Sequence, residues 1–133
     1  MITNQGKFGT GLREVDLVMS WPATVTAATP VAPDRCPRRL SGTTVTYTAT
    51  GIYTVVIPFT YGQGLPYSIT ATAQADVAAH VFQVHVVGEA TQSAGVMTVV
   101  LQCVDYAGSA VAPAVNAGTR INLRITGDDC GGA

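Results

Sequence analysis

The 133-residue sequence predicts an all-β domain in which two antiparallel sheets pack face to face. Three observations lead to this prediction. Thr, Val, Ala and Gly are common while only 11% of the residues are charged, a composition that favours strands and tight turns over helices. Apolar and polar residues alternate over several short segments, and glycine or proline separates one segment from the next. The chain is also long enough to bury a core without disulfides or a structural metal.

The clearest pattern is in residues 51–74, which predict two strands joined by a glycine-containing turn. The first strand, 51–59, has apolar residues on both faces, so we expect it in the middle of a sheet. The second strand, 67–74, alternates apolar residues with Ser, Thr and Gln. This alternation predicts a strand with one face in the core and one face in water.

The other elements are assigned in chain order. Residues 1–11 have no hydrophobic face and predict an extended N-terminal arm. A domain over 12–127 follows, and residues 128–133 predict a C-terminal tail. Further strands are predicted at 12–19, at 23–28 after an interruption by Trp21-Pro22, and at 43–49, 80–87, 96–104 and 119–126, with a turn through 88–95. With the two strands of 51–74 this makes eight, which favours an eight-stranded jelly roll over an immunoglobulin topology.

The longest irregular segment is the loop 29–42, which contains three prolines and three of the seven basic residues. The prolines exclude a regular helix and a central strand. Guanidinium groups form forked hydrogen bonds with phosphates and carboxylates, so Arg35, Arg38 and Arg39 predict a binding surface for phosphate or for an acidic protein. A solvated loop without a partner is the alternative interpretation.

The charge balance restricts the partners that we expect. A formal net charge of -1 gives no overall electrostatic reason to expect nucleic acid or an anionic membrane. No apolar run approaches the ~20 residues of a membrane span, and the first ten residues lack the pattern of a secretory signal. We therefore expect a protein made and used in a cytosol. Because charged residues are so scarce, we also expect other protein to cover much of the surface, with a homo-oligomer, a dimer or trimer, as the simplest form.

Motifs for catalysis or for a cofactor are absent from the sequence. The three cysteines, Cys36, Cys103 and Cys130, are too far apart for a zinc motif, and Cys103 is expected in the core. His80 and His85 fall on opposite faces of a predicted strand, which disfavours a shared metal site. No phosphate loop, serine elbow or HExxH motif is present. We predict no cofactor, no metal and no catalytic residue.

The remaining polar and aromatic candidates each have two interpretations. Asp34, Asp76 and Asp105 lie in or beside predicted turns, where aspartate commonly accepts hydrogen bonds from the local backbone. A carboxylate pair for glycoside hydrolysis would need two of them within about 5 to 10 Å. Trp21 and Tyr61 have the chemistry to stack on a sugar, or they cover an edge of the core.

Three stretches resemble the small jelly-roll domains of tailed-bacteriophage virions. They are Gly51 to Phe59, Leu65 to Ala73 and Arg120 to Ile125, and the resemblance covers about residues 44–126. Such domains occur as head decoration (cement) proteins and as tail-fibre tips, and are more distantly similar to the C1q-like fold. The chain has no upstream repeat or coiled-coil stalk of the kind that fibre tips carry.

The resemblance implies a non-enzymatic capsid decoration subunit that stabilises the phage head. Its partner would be the major capsid protein, and its location the capsid surface of a virion assembled in the host cytoplasm. A receptor-binding fibre or spike domain is the alternative, and a small glycan-active enzyme is the second alternative. For a cement subunit we expect the arm 1–11 and the loop 29–42 to reach neighbouring capsomers, with Arg35, Arg38 and Arg39 meeting acidic groups and Phe8 as an apolar anchor.

Overall fold

A computed structural model describes residues 13–61, 67–78, 81–105 and 119–129. These residues form strands and connecting loops, with one 3-10 helix of three residues, Arg38–Leu40. The strands are β1 (Arg13–Pro22), β2 (Thr44–Ala49), β3 (Ile52–Ile57), β4 (Tyr67–Gln74), β5 (Gln83–Val86), β6 (Thr91–Ser93), β7 (Val96–Val104) and β8 (Arg120–Asp129).

The strands form two antiparallel sheets packed against each other, which confirms the predicted all-β sandwich. Sheet A has the strand order β1-β8-β4, and sheet B has the order β2-β3-β7-β5, with β6 also paired to β7. The chain changes sheet after β1, β3, β4 and β7, and the first and last strands are neighbours in sheet A. This wrapping is the kind that a jelly roll has, although the strands divide three and five between the sheets.

The core lies between the sheets and is formed by alternate residues of the strands. β3 lies between β2 and β7, as its two apolar faces predicted. Cys103 is fully buried, also as predicted, and burial raises the pKa of its thiol to about 12. The largest fully buried side chains are Trp21, Tyr53, Leu17, Met19, Leu40, Ile57, Met97, Leu101, Ile121, Leu123, Ile125 and Val45.

β1 runs through Trp21 to Pro22, where the sequence predicted an interruption. Two residues before Pro22, the main-chain N–H and C=O of Ser20 bond Arg35 on the side away from β8. Because main-chain groups alternate in direction along a strand, the nitrogen of Pro22 also points away from β8. Its missing N–H therefore removes no hydrogen bond from the sheet, which is why this edge strand tolerates proline.

Other boundaries also differ from the sequence prediction. Residues 23–28 form turns and bends rather than a strand, whereas the predicted turn 88–95 contains β6. The strand predicted at 80–87 is observed from Gln83 to Val86. At the C-terminal end, β8 continues to Asp129, so the first two residues of the predicted tail pair with β1.

β5 and β6 lie along the same edge of β7 and behave as one interrupted strand. Val86 pairs with Leu101 and Thr91 pairs with Thr98, so the chain advances five residues where β7 advances three. The two extra residues form a bulge next to Gly88, whose φ of 68° is in the left-handed region that favours glycine.

The hairpin between β6 and β7 turns at Ala94-Gly95. Both residues have positive φ, 55° and 79°, as a two-residue type I′ turn requires. Ala94 is the one non-glycine residue with positive φ in the described part of the chain. No helix in that part is long and apolar enough to cross a membrane.

Candidate functional site

The loop 29–42, here called the arginine loop, lies across the free edges of β1 and β2. Main-chain hydrogen bonds join Ser20 of β1 to Arg35 at 2.9 and 3.3 Å, and Val31 to Val45 of β2 at 3.0 and 2.7 Å. Since β1 belongs to sheet A and β2 to sheet B, the loop closes one side of the sandwich. We call this the closed side.

A buried arginine also ties the loop to sheet A. The Arg120 guanidinium donates from Nη1 to Asp34 Oδ2 at 3.2 Å and from Nη2 to Asp34 Oδ1, a forked arrangement. Its Nε and Nη2 also donate to Ser20 Oγ, at 3.0 and 2.7 Å. The hydrogen bonds from Arg120 hold the pKa of Asp34 below its ordinary value of 3.8, against the opposing effect of desolvation. Asp34 is therefore an anchor of the loop.

Arg120 alternates with the core residues Ile121 and Leu123, so it lies on the outer face of sheet A, and no local sequence pattern indicates that this face is covered there. Arg120 is 9% exposed because the arginine loop folds over it. Its partner Asp34 is 86 residues away in the chain, so no local pattern connects the two. By contrast, Asp76 behaves as predicted for a turn aspartate, since its Oδ1 accepts a hydrogen bond from the N–H of Val77 at 2.9 Å.

The three predicted arginines are exposed on the closed side. Arg39 donates to the main-chain oxygen of Asp16 at 3.1 Å, and Arg124 of sheet A donates to Asp16 Oδ2 at 2.9 Å. The two arginines therefore contact the same residue of β1, Arg39 through the main chain and Arg124 through the carboxylate. Arg38 lines a cavity of about 350 Å³ with Cys36, Leu40 and other loop residues. The structure thus brings Arg35, Arg38 and Arg39 to one anchored loop, while Phe8 and the arm 1–11 lie outside the described residues.

The two aromatic candidates for sugar stacking are both buried. Trp21 is 0% exposed and Tyr61 is 4% exposed. The Tyr61 hydroxyl lies 2.8 Å from the carbonyl oxygen of Val15 and 3.1 Å from that of Ile125, and burial raises its pKa to about 12. Neither ring is available to a glycan on the surface, so their role is in the core.

The outer face of sheet B has no ionisable side chain across β2, β3 and β7. The strand register aligns Thr44 with Val56 and Thr98, and it aligns Thr54 with Thr46 and Val100. The side chains of these six residues point outward, and all six are half-buried. We call this surface the sheet B face, and it consists of Thr44, Thr46, Ile52, Thr54, Val56, Thr98, Val100 and Gln102. A surface of uncharged polar and aliphatic side chains offers contact area without charges that would need desolvation.

Sites for metals and small molecules are not evident in the described residues. Within them, no group of three or more His, Cys, Asp and Glu is placed to hold a metal ion. A second cavity of about 450 Å³ lies beside the β6–β7 hairpin, where Gln92 accepts a hydrogen bond from the N–H of Tyr61 at 2.7 Å. His85 is exposed, and its Nε2 lies 3.1 Å from Oε1 of Gln83. His80 and Cys130 lie outside the described residues.

No family model, no curated protein and no solved structure matches this chain. Its function is therefore inferred from the geometry and composition described above.

Proposed function

We propose that this chain is a non-enzymatic structural subunit that acts by packing against other protein subunits. The observation that carries the proposal is the sheet B face, which is uncharged across three strands of a chain with only 11% charged residues. Globular domains usually have about a quarter of their residues charged. The centres of protein interfaces are the surfaces from which charge is depleted.

The specific form that we propose is a decoration subunit on the head of a tailed bacteriophage, bound to the major capsid protein. This part depends on the resemblance of residues 44–126 to small virion jelly rolls. The geometry of the arginine loop supports a role in attachment, because Arg35, Arg38 and Arg39 are exposed on a loop that is already anchored. An anchored loop loses less conformational entropy on binding than a free one. Phe8, which lies outside the described residues, is proposed as an additional apolar anchor.

The two alternatives predict different surfaces. A glycan-active enzyme or a sugar-binding fibre tip would need exposed aromatic side chains, and the burial of Trp21 and Tyr61 removes two candidates for that role. A fibre or spike domain that recognises a protein receptor could use the same uncharged face. Its location in the particle would distinguish it from a decoration subunit.

Deletion of the gene from the virus that encodes this chain tests the location. Cryo-electron microscopy of deletion and wild-type virions should show density for this subunit on the wild-type shell alone. Deletion particles should also release DNA at a lower temperature while still attaching to cells. An intact shell with lost attachment would contradict the decoration role and favour the fibre or spike alternative.

Addition of purified protein to the deletion particles tests the loop. Replacement of Arg35, Arg38 and Arg39 together by alanine should lower occupancy at least tenfold, because forked bonds to acidic groups are lost. Replacement of the same three by lysine is the matched control, which keeps the charge and should retain part of the binding. If the alanine variant folds and decorates at wild-type occupancy, the loop is not the attachment site.

A further inference from the structure

β4 is the outer strand of sheet A on the side opposite the arginine loop, here called the open side. No hydrogen bond joins the outer edge of β4 to another described residue. The edges of β1 and β2 differ, because Arg35, Arg39 and Val31 occupy them. An unpaired edge presents a row of donors and acceptors to which another strand can add.

The register of sheet A identifies the main-chain groups on this edge. The main-chain groups of Ser20 bond Arg35 on the side away from β8. Ser20 pairs with Asn122 of β8, so the main-chain groups of Asn122 do not bond β1 and point towards β4. Asn122 pairs with Thr72 of β4. The even-numbered residues of β4 therefore bond β8, and the outer edge carries the main-chain groups of Tyr67, Ile69, Ala71 and Ala73.

β4 also lacks the features with which proteins protect an edge. Its eight residues, Tyr67–Gln74, include no charged side chain and no proline, and its register with β8 has no bulge. Edge strands that remain unpaired usually carry lysine, proline or a bulge. β4 has none of the three, so its edge is suited to pairing with another strand.

We propose that β4 pairs antiparallel with β4 of a second copy about a two-fold axis at Thr70. This register makes hydrogen-bonded pairs of the outward groups, with Tyr67 opposite Ala73 and Ile69 opposite Ala71. On the inner side each large residue then faces a small one. On the exposed side Ser68 and Thr72 face each other and Thr70 faces its own copy.

The sequence of β4 is thus complementary to itself about its centre. Thr–Thr and Thr–Ser pairs across strands stabilise a sheet, and the register gives four hydrogen-bonded residue pairs with two bonds each. The product is a continuous six-stranded sheet with an isologous interface. The inference is independent of the virion assignment, since it depends only on the edge of β4.

Disulfide trapping tests the register directly. Thr70→Cys is made in a Cys36→Ser/Cys130→Ser background and oxidised with dilute copper–phenanthroline. At a two-fold, non-hydrogen-bonded position the two Cα atoms lie about 4.5 Å apart, which a disulfide spans. Thr72→Cys is the matched control, because its two copies would lie about 13 Å apart. Cross-linking at 70 and not at 72 is expected, and cross-linking at 72 or at neither position would overturn the proposal.

Sedimentation at tens of micromolar tests the interface in solution. The wild-type chain is expected to be a dimer, and Thr70→Lys is expected to be a monomer, because two ammonium groups would meet at the axis. Thr24→Lys places the same charge at an exposed position outside both β4 and the sheet B face, and it should leave the dimer intact. A monomeric wild type, or dissociation by Thr24→Lys alone, would overturn the proposal. Circular dichroism establishes that each variant is folded.

Discussion

The closed and open sides of the sandwich join the same two sheets by different means. On the closed side, polar groups from the arginine loop bond the strand edges, and Arg120 fixes the loop through Asp34 and Ser20. On the open side the contacts are made by tyrosines: Tyr67 of β4 stacks on Tyr61, in the segment after β3, with ring centroids 5.8 Å apart. The Tyr67 hydroxyl also donates to the carbonyl oxygen of Ala90, at 3.2 Å.

This difference has a physical consequence for the edges. Polar anchors bond main-chain groups of Ser20 and Asp16 in β1 and of Val45 in β2, so the loop interrupts the row of groups that another strand would need. The tyrosine contacts are made by side chains, and no hydrogen bond joins the outer main-chain groups of β4 to another described residue. A sandwich can therefore be closed for stability on one side and remain open for association on the other.

The largest effect is expected from a side chain at Gly127, which packs against Tyr67 and Tyr61. A Cβ atom at Gly127 would lie 2.7 Å from Cβ of Tyr67 and 2.9 Å from Cδ1 of Tyr61. Gly127→Ala should lower the free energy of unfolding by about 3 kcal/mol, because the strand or the rings must move. The neighbouring Thr126→Ala should cost under about 0.5 kcal/mol in the same urea titration. Equal costs for the two variants would show that the open side is loosely packed.

The closed side is tested by two arginines of the same strand. Arg120→Ala should lower the free energy of unfolding by about 2 kcal/mol, because its hydrogen bonds to Asp34 and Ser20 are lost. Arg124→Ala should cost under about 0.5 kcal/mol, since its bridge to Asp16 is exposed. Chemical denaturation of both variants measures the difference. Similar values would mean that the loop does not depend on Arg120.

A smaller effect on the same anchor is expected from acid. The pKa of Asp34 is lower in the folded protein than its ordinary value of 3.8, so ionised Asp34 stabilises the fold above that pH. This contribution should diminish as the pH falls below about 4 and through the folded pKa. The stability difference between wild type and Asp34→Ala should therefore be constant from pH 7 to 5 and should shrink below about pH 4. A difference that grows in acid would contradict the anchor role.

The smallest effect, of opposite sign, is expected at the hairpin of the open side. Ala94 adopts φ 55°, a conformation that asparagine adopts more readily than alanine. Ala94→Asn should raise the free energy of unfolding by about 0.5 kcal/mol, measured by thermal denaturation. Ala27→Asn, at an exposed position with ordinary φ, is the control and should give no gain. If both substitutions have the same effect, the turn is not a source of strain.

Period-two patterns were sufficient to predict the sheets but not their edges. β3 was placed in the middle of a sheet because both its faces are apolar, and the alternation of β4 predicted its one wet face. β6 was missed because Thr91–Ser93 is short and polar and shows no alternation. The anchor formed by Arg120 and Asp34 was missed because it joins distant positions, and edge protection depends on such long-range contacts. The sequence predicted that the arginines of the loop reach the surface. It could not predict that β4 is an edge strand, because the order of strands in a sheet depends on pairing between distant segments.

The interrupted edge formed by β5 and β6 has a consequence for the size of any assembly. Growth of a sheet by addition of strands requires two available edges on each molecule, as polymerisation requires a monomer with two reactive ends. The bulge at Gly88 breaks the edge of sheet B on the open side, and hydrogen bonds from the arginine loop interrupt the edges on the closed side. In the described part of the chain β4 is therefore the one edge with neither a bulge nor a bound loop, so each molecule offers one edge for pairing. Edge pairing would therefore end at two copies, which would prevent fibre growth while keeping one site for association.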